Sequence, residues 1–275
     1  MKRHGTTVIL LIVLIAGLSL LLYPSFADWW NSMHQSHAVA AYVEHVANID
    51  EEQYAHLWDA AWNYNRSLTE RANSYVLTDE QKAEYDQILD IAGLGIMGYI
   101  EVPSIGVALP IYHGTNEAVL QIAVGHLEWT SLPVGGESSH CVVSGHRGLP
   151  SAKLFTDLDK LVVGDVFIFR VLDEILTYEV DQILIVEPHE TEALMIQEGR
   201  DLCTLVTCTP YGVNSHRLLV RGHRVENQEE AQSVRITADA MQIEPVIVAP
   251  IVAIPMLLVL LIIVLIPRRR RRRFD

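Results

Sequence analysis

The sequence predicts a mainly β domain, a barrel or a sandwich, held outside a membrane by a helical N-terminal region and two transmembrane helices. Three observations carry this. Two uncharged, mostly apolar runs stand near the ends, Val8 to Tyr23 and Val246 to Ile266. From about Ser32 to Asp90 there is neither proline nor glycine. From Gly93 onward the chain consists of short apolar runs punctuated by glycine and proline. With 275 residues, 50% of them apolar, and a net charge of -14, one medium domain with attachments fits, and a disordered or repeat-built chain does not.

The second apolar run is long enough to span a bilayer, and no charge falls between Glu244 and Arg268. Pro250 and Pro255 lie within it as kink sites. The first run follows Met1, Lys2 and Arg3 and ends before Ser25-Phe26-Ala27, a small-x-small pattern at which a secretory signal would be cut. It reads better as a retained anchor, because its apolar stretch exceeds the usual signal core of about 7 to 15 residues. Trp29 and Trp30 then resemble an aromatic interface belt.

Lys2 and Arg3 before the first run and Arg268 to Arg273 after the second place both termini inside and the middle outside. The six arginines directly follow a hydrophobic span and read as a topology and headgroup anchor, not as a nucleic-acid site. The middle of the chain holds 12 basic and 33 acidic residues, a charge of -21 that repels polyanions.

Asp50-Glu51-Glu52-Gln53 and Thr78-Asp79-Glu80-Gln81 resemble capping boxes, so the proline-free stretch is expected to be helical, with its aromatics (Tyr42, Tyr54, Trp58, Trp62, Tyr64) on packed faces. Beyond it, strands are predicted at Met97 to Val102, Val107 to Tyr112, His140 to Ser144, Val166 to Val171, Leu176 to Val186, Leu202 to Thr207 and Leu218 to Gly222. Short helices are expected at Glu117 to Gln121 and Ala152 to Leu158, and Asn227 to Ser233 reads as a linker.

An exported domain meets oxidising conditions, and three cysteines, Cys141, Cys203 and Cys208, leave at least one thiol without an intramolecular partner. An exposed thiol outside the cell needs a job, so one cysteine is a candidate nucleophile; a small buried apolar role suits Cys141 and Cys203. His146 and Cys208 each stand just past an apolar run, at a rim that substrates can reach. Nine residues after Cys208, across a turn marked by Pro210, Gly212 and Asn214, Arg217 begins a returning strand, and a hairpin of this kind sets it beside Cys208. The three form a working set: a thiol reactive as thiolate, an imidazole to move protons, and a permanent cation to hold an oxyanion.

The stretch Thr204-Leu-Val-Thr-Cys208-Thr-Pro-Tyr-Gly-Val-Asn-Ser-His-Arg217-Leu-Leu-Val-Arg-Gly-His223, with Ser144-Gly-His146-Arg-Gly-Leu-Pro-Ser-Ala-Lys-Leu-Phe155 and Gly125-His126-Leu-Glu-Trp-Thr-Ser-Leu-Pro-Val-Gly135, resembles the sortases of Gram-positive bacteria, most closely class C, the pilin polymerases. The resemblance covers about Tyr99 to Arg224. It implies a closed eight-stranded sortase-type β-barrel with short helices. It also implies a thiol transpeptidase in which Cys208 attacks the Thr-Gly bond of an LPXTG-like sorting signal, His146 moves protons and Arg217 steadies the oxyanion. The partners it implies are pilin or surface-protein precursors bearing that signal, a pilin lysine as acceptor, and the lipid bilayer; no metal and no organic cofactor is implied. Two spans with a cytoplasmic C-terminus also resemble class C. The expected organisation is an anchor at 1–27, a helical region at 28–92, the catalytic barrel at 93–226, a linker at 227–245, a second span at 246–267 and a basic cytoplasmic tail at 268–275.

Class C sortases commonly cover their cysteine with a lid bearing an Asp-Pro-aromatic motif, whereas this chain has no proline between Pro24 and Pro103. Either other residues, such as those of the Arg71 to Asp79 stretch, form a lid or the site stays open. His216 and His223 compete with His146 for the acid-base role, and Arg147, Arg221 and Arg224 read as structural or solvated. His126 lines the groove or serves as a structural hydrogen-bonding group. Cys141 and Cys203 each precede a proposed catalytic residue by five positions, so the parallel neighbouring strands of the family fold would bring them close enough to consider a disulfide. Two alternatives remain within reach of the sequence: a sortase that anchors proteins to wall peptidoglycan, and a non-catalytic surface scaffold.

Overall fold

A computed structural model describes residues 2–70, 76–91 and 93–227. The second apolar run, the linker before it beyond Asn227 and the basic tail lie outside the described residues, as does Arg71 to Tyr75, the first part of the stretch considered for a lid. One described helix, α1 (Lys2–Ala47), is long and apolar enough to cross a membrane, with a mean hydropathy of 2.4 in its most apolar window.

Helix α2 (Glu51–Glu70) starts where Asp50 accepts the Gln53 amide at 2.8 Å, the forward half of a capping box. Helix α3 (Asp79–Tyr85) carries the full box: Thr78 Oγ1 accepts from the Gln81 amide at 3.3 Å, and Gln81 Oε1 accepts from the Thr78 amide at 2.9 Å. Both helices bury their aromatic faces against the barrel, with Trp58, Ala61, Tyr64, Tyr85 and Leu89 joining its main core.

The strands are β1 (Ile96–Val102), β2 (Val107–His113), β3 (Val124–His126), β4 (Ser139–Ser144), β5 (Val166–Val171), β6 (Glu174–Val186), β7 (Asp201–Thr209) and β8 (His216–Arg224). They close in the order β1-β2-β3-β4-β7-β8-β6-β5. All pairings are antiparallel except β2 with β3 and β4 with β7. The seven expected strands are present. The eighth strand that the resemblance implies is β3, which the residue pattern does not locate; it is three residues long and bridges β2 to β4, and without it the barrel would not close. Its central Gly125 lies against the Gly114 carbonyl oxygen, which a Cβ would overlap.

Helix α4 (Glu117–Leu120) forms where expected, capped by Asn116. The helix expected at Ala152 to Leu158 does not. That segment is a series of turns, because the Phe155 amide donates to the His146 carbonyl at 3.1 Å and Leu154 takes a positive φ of 39°, which breaks the helical hydrogen-bond ladder. A short 3-10 turn follows at Leu158–Lys160.

Cys141 and Cys203 are directly opposed on β4 and β7, but both are buried free thiols and the disulfide considered for them is not formed. Burial pushes the Cys203 thiol well above its usual range.

Two polar side chains organise the core. The Tyr85 hydroxyl accepts from the Gly114 amide at 2.9 Å and reaches His126 Nδ1 at 3.0 Å, so α3 is bolted to β3 and to the end of β2. His140 lies between the Met195 carbonyl (2.9 Å from Nδ1) and the Thr204 hydroxyl (2.7 Å from Nε2). A carbonyl can only accept, so Nδ1 holds the proton and Nε2 accepts from Thr204, an arrangement that suits the neutral ring. Burial accordingly pushes the His140 imidazole down to about 4.

Tyr85→Phe leaves the Gly114 amide without its acceptor and is expected to cost about 1 to 3 kcal/mol in a urea melt. For His140, the ordinary value is 6.5 and the folded value about 4, so in that window the unfolded chain binds a proton that the native state refuses. Stability therefore falls as pH drops from 6.5 toward 4 and is insensitive to this group above that window. Thermal melts of His140→Gln should show a flatter acid limb. Some slope remains because burial lowers His113 as well.

Candidate active site

Alternation along β7 separates two chemistries. Cys203 and Leu205 point into the main core, whereas Val206 belongs to an outer apolar layer, so Cys208, two residues on, shares the outer face. On β8, Leu218 and Val220 point inward, and Arg217 and Leu219 outward. Cys208 and Arg217 are directly paired across the two strands. The hairpin inferred from the turn residues is the one present.

His146 arrives from the other side of β7. Strands β4 and β7 run parallel and in register, from Ser139 with Asp201 to Ser144 with Val206. Past the end of β4 the Gly145 amide donates to the Val206 carbonyl at 3.0 Å, and Thr207 Oγ1 donates to the Gly145 carbonyl at 2.8 Å. Continued by two residues, this register sets His146 level with Cys208. The three residues singled out in the sequence therefore meet on one rim, on three strand ends that are neighbours in the sheet.

Cys208 is partly exposed, and the other two cysteines are buried, so it is the reachable thiol of the three. The His146 ring is 28% exposed, and its Nε2 lies 3.9 Å from Glu117 Oε2. Glu117 is in turn held by Gln121, whose Nε2 donates to Oε1 at 2.5 Å. This carboxylate was not singled out in the sequence; its place at the start of α4 becomes informative only once β3 folds α4 beside β4. Arg217 is steadied by bonds from one guanidinium nitrogen to the carbonyls of His216 (3.1 Å) and Asn214 (3.3 Å).

Arg217 also lines a groove of about 300 Å³ on the outer face of the sheet. Its walls come from the β3–β4 connection (Leu127, Trp129) and the β6–β7 connection (Pro188, Leu194), and its floor from Val206 and Leu219. The floor is apolar because the sheet's outer face here carries its own hydrophobic layer, and His140, bound to Met195, ties the second wall to the sheet. The alternating run of β7 foreshadows the floor; the walls come from loops that carry no apolar periodicity.

The competing groups are either distant from Cys208 or bound elsewhere. His223 pairs with Leu202, six residues along β7 from Cys208 and hence about 20 Å away. His216 pairs with Thr209, and its Nδ1 lies 2.8 Å from Ser215 Oγ. Arg221 is bound to Asp181 and Arg224 to the Ile175 carbonyl. Arg147 pairs with Asp159 and lies over the Tyr211 ring. His126 is fully buried and hydrogen-bonded to Tyr85 and Ser131, so it is structural and does not line the groove. Among the described residues no group of three or more His, Cys, Asp or Glu side chains is placed to hold a metal ion.

A family model for the sortase domain matches residues 100–225. The crystal structure of sortase C1 from Streptococcus agalactiae is similar at a TM-score of 0.68 and 49% identity, covering 70% of this chain and 100% of that one. Sortase C of Streptococcus pneumoniae follows at 0.63 and 43% identity, covering 70% of this chain and 97% of its own. Sortase D of Bacillus subtilis is 30% identical over 131 residues, or 46% of this chain, and the match spans 63% of that relative's length. On the fold, the domain match and these likenesses, the chain belongs to the sortase family and is most like its class C members.

Proposed function

We propose that the protein is a membrane-anchored extracellular cysteine transpeptidase that cleaves an LPXTG-like sorting signal and transfers the acyl group to an amine, a pilin lysine in pilus polymerisation. The observation that carries this reading is the meeting of the one reachable thiol, Cys208, with Arg217 and His146 on a rim where Arg217 also lines an apolar-floored groove. The pilin acceptor is favoured over wall peptidoglycan by the higher identity to class C structures than to sortase D of Bacillus subtilis. The Streptococcus pneumoniae relative is described in terms of pilin substrate specificity.

The Cys208 thiolate attacks the carbonyl carbon of the signal's Thr-Gly bond. Negative charge grows on the carbonyl oxygen, and the Arg217 guanidinium, permanently charged and held by two backbone carbonyls, is suited to stabilise it. The carbon-nitrogen bond breaks as His146 gives its proton to the departing glycine amine, leaving a thioacyl enzyme. The incoming lysine amine attacks that thioester and loses its proton to His146; the carbon-sulfur bond breaks, an isopeptide forms and the thiolate returns. Water in place of the amine gives hydrolysis. The apolar floor of the groove suits the leucine and proline of the signal, and Trp129 adds an aromatic surface to one wall.

The same reading places the catalytic domain outside and both termini inside the cell membrane. The hydropathy of α1 supports the first span. The second span and the inner C-terminus rest on Val246 to Ile266 and the six arginines.

With a soluble sorting-signal peptide and a lysine acceptor, Cys208→Ala is expected to abolish both cleavage and transfer. His146→Ala should lower both by about 10² to 10⁴, as for loss of a general acid-base. Arg217→Lys should cost about 10² to 10³ in kcat, as for loss of an oxyanion donor. Full turnover in Cys208→Ala would refute the mechanism. In cells, a covalent pilin ladder identifies polymerisation; loss of wall-attached protein without any ladder identifies wall anchoring instead.

A further inference from the structure

Helix α1 does not end where its apolar run ends. It continues along the barrel and touches it at regular intervals on one face. Asp28 Oδ1 accepts the Lys153 amide at 2.6 Å, Asn31 Nδ2 donates to the Ser151 carbonyl at 2.7 Å, and Gln35 Nε2 donates to the Ile122 carbonyl at 2.6 Å. Farther along, the Tyr42 hydroxyl donates to the Met97 carbonyl at 3.0 Å and accepts from the Leu172 amide at 2.7 Å. Asp28 and Tyr42 are fourteen residues apart, about 21 Å along the helix.

These contacts orient the barrel. Ser151 and Lys153 belong to the loop that follows His146, whereas Leu172 lies in the β5–β6 turn. In the sheet, Val186 of β6 faces Arg217 at the active-site end, and Tyr178, close to that turn, faces Arg224 at the other end. The end of the barrel nearest the membrane segment is therefore the end that carries Cys208, His146 and Arg217.

The height is also set. Tyr23 closes the apolar run and Asp28 is five residues on, about 8 Å along the helix. The polar headgroup layer of a bilayer is about 5 to 8 Å deep on each side. Phe26, Trp29 and Trp30 are all strongly exposed at this level, as interfacial aromatics are. The β7–β8 turn lies at the same end and exposes Tyr211 and Val213 by 60% and 70%. Tyr211 is seated against Gly148, where a Cβ would meet its ring, three residues before Ser151 on the loop docked to α1.

We propose that the active-site rim docks on the outer surface of the bilayer, with α1 as the strut and Tyr211 and Val213 entering the headgroup layer. This surface accounts for two exposed apolar residues beside a catalytic rim, and it continues the membrane face begun by α1.

The full chain in nanodiscs tests this without requiring turnover. A fluorophore is attached at Val213→Cys, or at Asp173→Cys on the opposite end, in a Cys208→Ala background where the remaining cysteines are buried. The bilayer of phosphatidylcholine and phosphatidylglycerol carries nitroxide on its headgroups. Quenching at position 213 is expected to be several-fold stronger than at 173. In the double variant Asn31→Ala, Gln35→Ala the quenching at 213 should fall toward that at 173. Equal quenching at the two positions, or quenching at 213 that is unchanged in the double variant, would overturn the proposal. Because the readout is proximity to lipid, loss of the transpeptidase reading would leave these outcomes intact.

Discussion

The in-register parallel pairing of β4 with β7 is the constraint on which the site depends. A parallel pair needs a long crossover, and β5 and β6 supply it, so His146 and Cys208 are brought together from 62 residues apart. The pairing ends in two bonds, Gly145 amide to Val206 carbonyl and Thr207 hydroxyl to Gly145 carbonyl, that carry the register past the strand and into the histidine loop. A slip of one residue would turn the outer face of β7 inward and bury Cys208.

The same register explains why one chain carries both buried and exposed thiols. Five residues upstream of the rim it opposes Cys141 to Cys203 inside the core, where burial keeps Cys203 protonated. Five is an odd step, so Cys203 and Cys208 lie on opposite faces of β7. The outer face is not wet along its whole length. Val206 and Leu219 carry a second apolar layer under the connections that wall the groove, and His140 ties one of those connections to the sheet. The groove and the partly exposed thiol are thus built on one surface, with the packed core directly behind.

Much of this was legible in the sequence. Apolar runs between glycines and prolines marked seven strands, and the turn signal of Pro210, Gly212 and Asn214 was enough to pair Arg217 with Cys208. Strand β3 was not legible: Val124-Gly125-His126 is too short to show a period, and its place depends on a close approach of two glycine backbones. The stretch Ala152 to Leu158 has helical composition, yet the Phe155 amide is claimed by the His146 carbonyl, a tertiary bond that local propensity does not record. Glu117 beside His146 and the loop walls of the groove escaped for the same reason, since each is placed by a distant element. The buried role of His126 became clear only with Tyr85, which reaches it from a helix 41 residues earlier.

Helix α1 joins the first apolar run to the domain in one continuous element. The central claim, however, concerns the sulfur on the rim. Intact-mass spectrometry of the protein mixed with a sorting-signal peptide, with no amine acceptor present, tests it most directly. The account predicts an adduct of the peptide's N-terminal fragment, mapped to Cys208 and discharged by hydroxylamine as a thioester. An adduct mapped to another residue, or cleavage that continues after Cys208 is alkylated, would contradict it.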